Sequence, residues 1–263
     1  MALIGTYETR LLRPETAAGA GAQTVLLVLL DAAAGLGAAG WLAGAAFTVA
    51  TWALLTRALH RSWPPRPFGP ANAVTLVRTM LVGGVTALVA ESFASGPRTT
   101  ALVALTAVAL VLDAVDGQVA RRTGTESALG ARFDMEADAF LILVLSVHVA
   151  ASLGAWVLLI GAMRYVFVAA AQVLPWLNGP LPPSMARKTV AALQGIVLLV
   201  AAAGLLPVVA AWLLVLAALA SLVWSFARDI RGLWCVRAHD GAPVARPSRP
   251  RAAVVRERAH EQV

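Results

Sequence analysis

Long apolar blocks, separated by short polar or proline-rich segments, constrain this chain more than any other feature. Between residues 24 and 230 the blocks contain few charged residues, and each has at least the roughly 20 residues of a bilayer-spanning helix. Only 13% of the 263 residues are charged, against about 25% in an ordinary soluble domain. A soluble fold could not bury so much apolar surface. The blocks therefore predict an all-α integral membrane protein.

The first apolar block, residues 24–59, is too long for one comfortable span. Glycines near its middle favour a turn; they are Gly35, Gly37 and Gly40. The block therefore predicts a hairpin of two transmembrane helices, at about residues 22–37 and 40–60. One long tilted helix is the alternative.

Prolines divide the hairpin from the rest of the chain. Four of them lie within residues 61–71, which predicts a linker because a helix interior does not accommodate proline. Six more apolar blocks predict a six-helix main domain over residues 72–230 and about eight spans in all. These blocks are at about 72–93, 98–122, 130–151, 154–174, 185–204 and 207–230. Residues 231–263, rich in Arg, Pro and Ala, predict a disordered tail.

Basic residues predict the orientation of the helices. The net charge is +7, from 21 Lys and Arg against 14 Asp and Glu. The positive charges lie at or near alternate connections between blocks, which indicates anionic lipid headgroups as partners rather than nucleic acid. They include Arg57, Arg61, Arg66, Arg121, Arg122, Arg132, Arg187 and Lys188. The positive-inside rule then places this side, the N-terminal segment 1–21 and the tail in the cytoplasm, with the helices in the cell membrane.

Four aspartates lie within 26 residues of the membrane chain. Asp113 and Asp116 are three residues apart and Asp134 and Asp138 are four apart, so each pair lies on one helical face. A short basic connection predicts that the two helices run antiparallel, which brings the pairs to a similar depth. Buried carboxylates cost several kcal/mol each unless they are paired or liganded. Oxygen ligands select hard ions, so the cluster predicts Mg²⁺ or Mn²⁺, as a two-ion site suited to displacement at phosphorus.

Small and basic residues follow the first pair. Gly117 and Ala120 leave room for a flat ligand or a close backbone approach. Arg121 supplies a guanidinium suited to bidentate phosphate contact. Metal, arginine and small residues at the cytoplasmic end of a helix pair predict a pyrophosphate site.

The whole pattern, D-x2-D-G-x2-A-R-x8-G-x3-D-x3-D from Asp113 to Asp138, resembles the signature of the CDP-alcohol phosphotransferase family, with every fixed position met. The resemblance covers residues 70–230. It implies transfer of a phosphatidyl group from a CDP-alcohol, with CDP-diacylglycerol the expected donor, to a small alcohol in phospholipid biosynthesis. It also implies release of CMP and a homodimer.

The resemblance also implies the residue roles. Asp113, Asp116 and Asp134 would hold the metals, and Asp138 would complete the site and act as general base. The CDP-binding residues would be Gly117, Ala120, Arg121 and Thr75. Phosphate or acceptor contacts are predicted for Arg78, Arg164, Arg187 and Lys188. Tyr165 follows Arg164 where glycerol-phosphate-using members are expected to have an acidic residue, which puts glycerol phosphate in doubt.

Other interpretations of the aspartates stay open from the sequence. The carboxylates could carry ions in a cation-coupled transporter. A relative that binds CDP-lipids without catalysis would need the nucleotide contacts but no base. A prenyltransferase with its own aspartate-rich motifs would not require the Gly117, Ala120 and Arg121 positions.

Overall fold

The computed structural model describes residues 14–61, 70–123, 128–179 and 184–240, and this part of the chain is helical with no strands. Its helices are α1 (Pro14–Ala34), α2 (Ala38–Arg61), α3 (Pro70–Ser95), α4 (Thr99–Thr123), α5 (Ala128–Leu153), α6 (Leu158–Val173), α7 (Met185–Ala202) and α8 (Val208–Asp240). Short 3-10 turns precede α6 (Ala155–Val157) and follow it (Pro175–Asn178).

Length and composition make the protein an integral membrane protein. Within the described ranges, five segments are long and apolar enough to cross a bilayer: Thr75–Ser95, Phe133–Leu153, Ala155–Val173, Met185–Ala202 and Val208–Cys235. Three shorter apolar helices accompany them: Gly19–Ala34, Ala38–Leu54 and Thr99–Ala114. The all-α membrane fold is therefore confirmed, and the count of eight spans stays a prediction.

The N-terminal hairpin has two helices rather than one. Its turn, residues 35–37, contains Gly35 at φ 68°, a backbone conformation that glycine adopts without strain. Glu91 of α3 fixes this turn to the rest of the protein: its carboxylate accepts a hydrogen bond from the Gly40 N–H at 3.1 Å, and the residue is 1% exposed. A Cβ at Gly37 would lie 2.7 Å from a Glu91 carboxylate oxygen, so that position favours glycine.

Two helices extend beyond the predicted boundaries. Helix α1 begins at Pro14, inside the segment 1–21 predicted to precede the membrane domain. Helix α8 continues to Asp240, although disorder was predicted from residue 231. Tertiary contacts outweigh composition there, because Leu233 is buried and Trp234 packs on Trp176 with ring centroids 5.4 Å apart. Residues 62–69 of the predicted linker and 241–263 of the predicted tail lie outside the described residues.

Helix α3 is the centre of the bundle and packs against α1, α2, α4 and α5. Small residues on it permit close approach, as is common between membrane helices. A Cβ at Gly84 would lie 2.6 Å from Leu105 of α4 and 3.1 Å from Leu30 of α1. One face of α3 thus holds the hairpin while another faces α4 and α5, the helices that carry the aspartates.

Gly161 sets the distance between α5 and α6. It is buried, and a Cβ there would lie 2.5 Å from the Leu143 Cα, a backbone atom that cannot move aside alone. We expect Gly161→Ala to lower the free energy of unfolding by about 1–3 kcal/mol through overpacking. Thermal unfolding in detergent measures this change. Gly21→Ala is the matched control, since a Cβ at Gly21 meets nothing within 4 Å; equal unfolding temperatures for the two variants would contradict the prediction.

Candidate active site

Three of the four predicted aspartates meet between α4 and α5. Asp113 on α4 and Asp134 and Asp138 on α5 each offer a carboxylate oxygen within 4.8 Å of the other two. Their side chains are between 34% and 43% exposed, so the cluster is reachable from outside the bundle. Helical spacing places Asp134 and Asp138 on one face of α5, and α3, which packs against both α4 and α5, holds that face near Asp113. The cluster is a concentration of negative charge that needs cations.

Arg78 of α3 supplies a cation at the centre of this cluster. Its side chain is 1% exposed and forms ion pairs with Asp113 and Asp134, and with Asp138 at 3.2 Å. It also donates to the Asp134 backbone carbonyl at 3.2 Å. Its Nε is buried with no hydrogen-bond partner among the described residues. The sequence predicted phosphate contact for Arg78; the structure places its guanidinium against the aspartates themselves.

The donor set fits hard divalent ions. Carboxylate oxygens are the ligands that Mg²⁺ and Mn²⁺ prefer, and three of them converge here. The Arg78 guanidinium already contacts the same carboxylates, so an entering ion has to share their oxygens or shift the arginine. Arg78 therefore links metal binding to the position of α3.

A second ion pair adjoins the aspartates. Arg164 of α6 donates to Glu136, which lies between Asp134 and Asp138 on α5. Sequence reasoning did not include Glu136 because it is off the face of the aspartates. A usable signal was present, because an arginine inside an apolar block needs a partner and Glu136 is an acid on the preceding helix.

Arg187 belongs to a group at the start of α7. It pairs with Asp229 of α8 at 3.5 Å, and its backbone N–H donates to the Ser184 hydroxyl. Arg228 donates to the same hydroxyl at 3.0 Å and contacts Asp229 at 3.3 Å. Sequence reasoning did not single out Asp229. Arg187 therefore has a carboxylate partner in the structure, and its contact with a substrate stays a prediction.

The remaining predicted residues divide into two sets. Thr75 is buried near the start of α3, and Lys188 is exposed on α7. The second set consists of Asp116, Gly117, Ala120 and Arg121. The structure does not describe these side chains, so their roles stay predictions.

Residues 69–224, more than half of the chain, match the family model for CDP-alcohol phosphatidyltransferase. The chain belongs to the CDP-alcohol phosphatidyltransferase family. Comparison with curated proteins and with solved structures gave no significant match. As a CDP-alcohol phosphatidyltransferase, the protein is an enzyme of the kind that transfers a phosphatidyl group from a CDP-alcohol to an alcohol.

The family match separates the helices shared with the family from those outside the matched residues. Helices α3 to α7 and the first half of α8 lie within the matched residues. The N-terminal hairpin, α1 and α2, precedes them, and the last turns of α8 follow them. The aspartate cluster is therefore part of the family core, and the hairpin is an addition attached to another face of α3.

Proposed function

We propose that this phosphatidyltransferase transfers a phosphatidyl group from CDP-diacylglycerol to a small alcohol, with divalent ions and release of CMP. The observation that carries the proposal is the convergence of three carboxylates in a family whose members use divalent metal. Asp113, Asp116, Asp134 and Asp138 would hold two Mg²⁺ or Mn²⁺ ions. The bound ions would neutralise the pyrophosphate and stabilise CMP as it leaves.

The protein's own residues would orient the reactants and move one proton. Gly117 and Ala120 would leave space for the CDP group, Thr75 would contact it, and Arg121 would donate to its phosphates. The acceptor hydroxyl gives its proton to the Asp138 carboxylate. The acceptor oxygen then forms a bond to the lipid-side phosphorus, and the bond from that phosphorus to the bridging oxygen breaks to release CMP.

Arg78 has a role that follows from its contacts. Before metal binds, its guanidinium compensates the charge of Asp113, Asp134 and Asp138. With divalent ions held by those carboxylates, the Arg78 donors, including the buried Nε, would be available to a phosphate oxygen of the donor. In this proposal Arg78 stabilises the metal-free site and contacts the phosphate in the loaded one.

We also propose the membrane side of the site, the oligomeric state and the division of the chain into domains. The basic segments place the aspartate end of α4 and α5 at the cytoplasmic face of the cell membrane, where a nucleotide product can leave. The functional unit is a homodimer in contact with membrane lipids, as expected for this family. The chain divides into the hairpin, the linker and the six-helix catalytic domain, followed by a basic tail after α8.

Removal of divalent metal provides the direct test. We expect purified protein to release CMP when it is given CDP-diacylglycerol and one of a panel of alcohols. EDTA should stop this release, and added Mg²⁺ or Mn²⁺ should restore it. CDP-diacylglycerol without an alcohol is the control for hydrolysis. Binding of CDP-diacylglycerol without release for any alcohol would favour a lipid-binding protein. Metal-dependent cation flux without CMP release would favour a transporter.

A further inference from the structure

Two bilayer-length segments of the structure end beside each other at a pair of tryptophans. Trp176 follows the segment Ala155–Val173, and Trp234 lies at the end of the segment Val208–Cys235. Their rings pack edge to face, with centroids 5.4 Å apart and planes at 77°. Tryptophan at the end of a span is typical of the membrane–water interface, because its indole is partly apolar and partly polar. The pair therefore places the α6–α7 connection and the end of α8 at the level of the lipid headgroups.

Arg237 lies over both of these rings. Its guanidinium carbon is 5.7 Å from the Trp176 ring centroid and 5.4 Å from the Trp234 ring centroid, within the range of cation–π contact. The side chain is exposed, and within the described ranges it has no ion pair or hydrogen bond. Contact with the indoles restricts the guanidinium without occupying its N–H donors. Arg237 is therefore a positioned cation whose donors are accessible to an acceptor from outside the protein.

A second arginine of α8 shows how Arg237 differs from an arginine with partners inside the protein. Arg228 lies over the Trp224 ring, with its guanidinium carbon 5.2 Å from the centroid. Its guanidinium also donates to the Ser184 hydroxyl at 3.0 Å and to the Asp229 carboxylate at 3.3 Å. Arg228 thus has acceptors within the protein. Arg237 makes the same kind of aromatic contact but has no acceptor in the described part of the chain.

We propose that Trp176, Trp234 and Arg237 bind the phosphate group of an anionic phospholipid, at a site apart from the aspartates on α4 and α5. A guanidinium can donate two parallel hydrogen bonds to one phosphate, and the indoles contact the lipid below its headgroup. The interfacial position favours a lipid over a soluble phosphate ion, because the acyl chains hold the phosphate at this depth. The cation favours an anionic headgroup over a zwitterionic one, whose ammonium group it would repel. The site is independent of the proposed transfer reaction.

The single cysteine of the chain, Cys235, gives a local readout of this site. It is exposed and adjacent to Trp234, so a fluorophore on its thiol reports which lipids lie nearby. Full-length protein labelled there would be placed in phosphatidylcholine nanodiscs. These would contain a small fraction of nitroxide-bearing phosphatidylglycerol or, separately, of nitroxide-bearing phosphatidylcholine. We expect the anionic quencher to be enriched about fivefold at the label, on the scale of the attraction between one basic residue and anionic lipid.

Loss of the positioned cation should remove this enrichment. Arg237→Gln is expected to bring the two quenchers close to equality. Arg231→Gln is the matched control, because it removes the same charge from an exposed arginine of α8 that lies over neither ring. It should leave most of the enrichment in place. Trp176→Leu keeps the charge but should lower the enrichment, since the guanidinium loses one of its two aromatic partners.

Several results would overturn the inference. Equal quenching by the two lipids in the wild type is one, and enrichment that persists in Arg237→Gln is another. An equal loss in Arg231→Gln would show diffuse attraction rather than a site, and full enrichment in Trp176→Leu would contradict the role of the indoles. Neither inorganic phosphate nor a polyglutamate peptide, added at constant ionic strength, should relieve the quenching. Relief by phosphate would assign the site to a soluble anion, and relief by the peptide would assign it to an acidic protein.

Discussion

Replacing Asp138 with asparagine is expected to lower the rate of CMP release by about 10³-fold, within the range that general bases contribute. The amide keeps the size of the side chain but cannot accept the proton of the acceptor hydroxyl. It also removes one negative charge from the cluster with Asp113 and Asp134. The measurement is single-turnover CMP release at saturating metal, so that weaker metal binding is not mistaken for slower chemistry.

Asp31→Asn is the matched control for that experiment. It makes the same substitution at an acidic residue of α1, in the hairpin rather than in the aspartate cluster. We expect it to keep the wild-type rate. Asp138→Asn protein should also retain CDP-diacylglycerol binding. A rate for Asp138→Asn within about tenfold of the wild type would contradict a general-base role for this carboxylate.

Replacing Arg78 with methionine is expected to destabilise the metal-free protein strongly. Arg78 is 1% exposed and contacts three aspartates, so its removal leaves carboxylates uncompensated. Breaking a buried ion pair costs about 3–5 kcal/mol, and the lower end applies because the aspartates are partly exposed. Divalent ions should restore much of this loss, since they replace the missing positive charge. Thermal unfolding in EDTA and in Mn²⁺ measures both effects.

Arg57→Met is the control for the loss of one arginine, because Arg57 is exposed on α2. In EDTA its unfolding temperature should stay near that of the wild type, well above that of Arg78→Met. The increase in unfolding temperature on adding Mn²⁺ should be greater in Arg78→Met than in Arg57→Met or the wild type. An equal Mn²⁺ effect in all three proteins would show that Arg78 and the metal do not share the aspartates.

The fold was largely predictable because bilayer thickness imposes a length on each apolar block. The predicted blocks at 98–122 and 185–204 correspond to α4 (Thr99–Thr123) and α7 (Met185–Ala202) within a few residues. The hairpin turn was predictable because glycine marks it, as at Gly35. The end of α8 was not, because its last turns depend on packing between Trp176 and Trp234, which composition does not encode.

The site was predictable where local geometry determined it. Helical periodicity predicted that Asp134 and Asp138 share a face of α5, and the structure brings Asp113 to them. The position of Arg78 depends on how α3 is rotated against two other helices, and its partners are 35 and 56 residues away in sequence. Glu136 was not among the predicted site residues, and only the packing of α6 reveals that it pairs with Arg164.

Transfer of an ¹⁸O-labelled hydroxyl oxygen tests the central claim most directly. Protein, CDP-diacylglycerol, Mn²⁺ and a mixture of acceptor alcohols labelled at the hydroxyl would be incubated, and the lipid and CMP fractions would be analysed by mass spectrometry. Attack of the acceptor oxygen on the lipid-side phosphorus predicts a new phospholipid that retains the label, with unlabelled CMP formed in equal amount. Label-free lipid, or no new phospholipid with any acceptor, would contradict phosphatidyl transfer at this site.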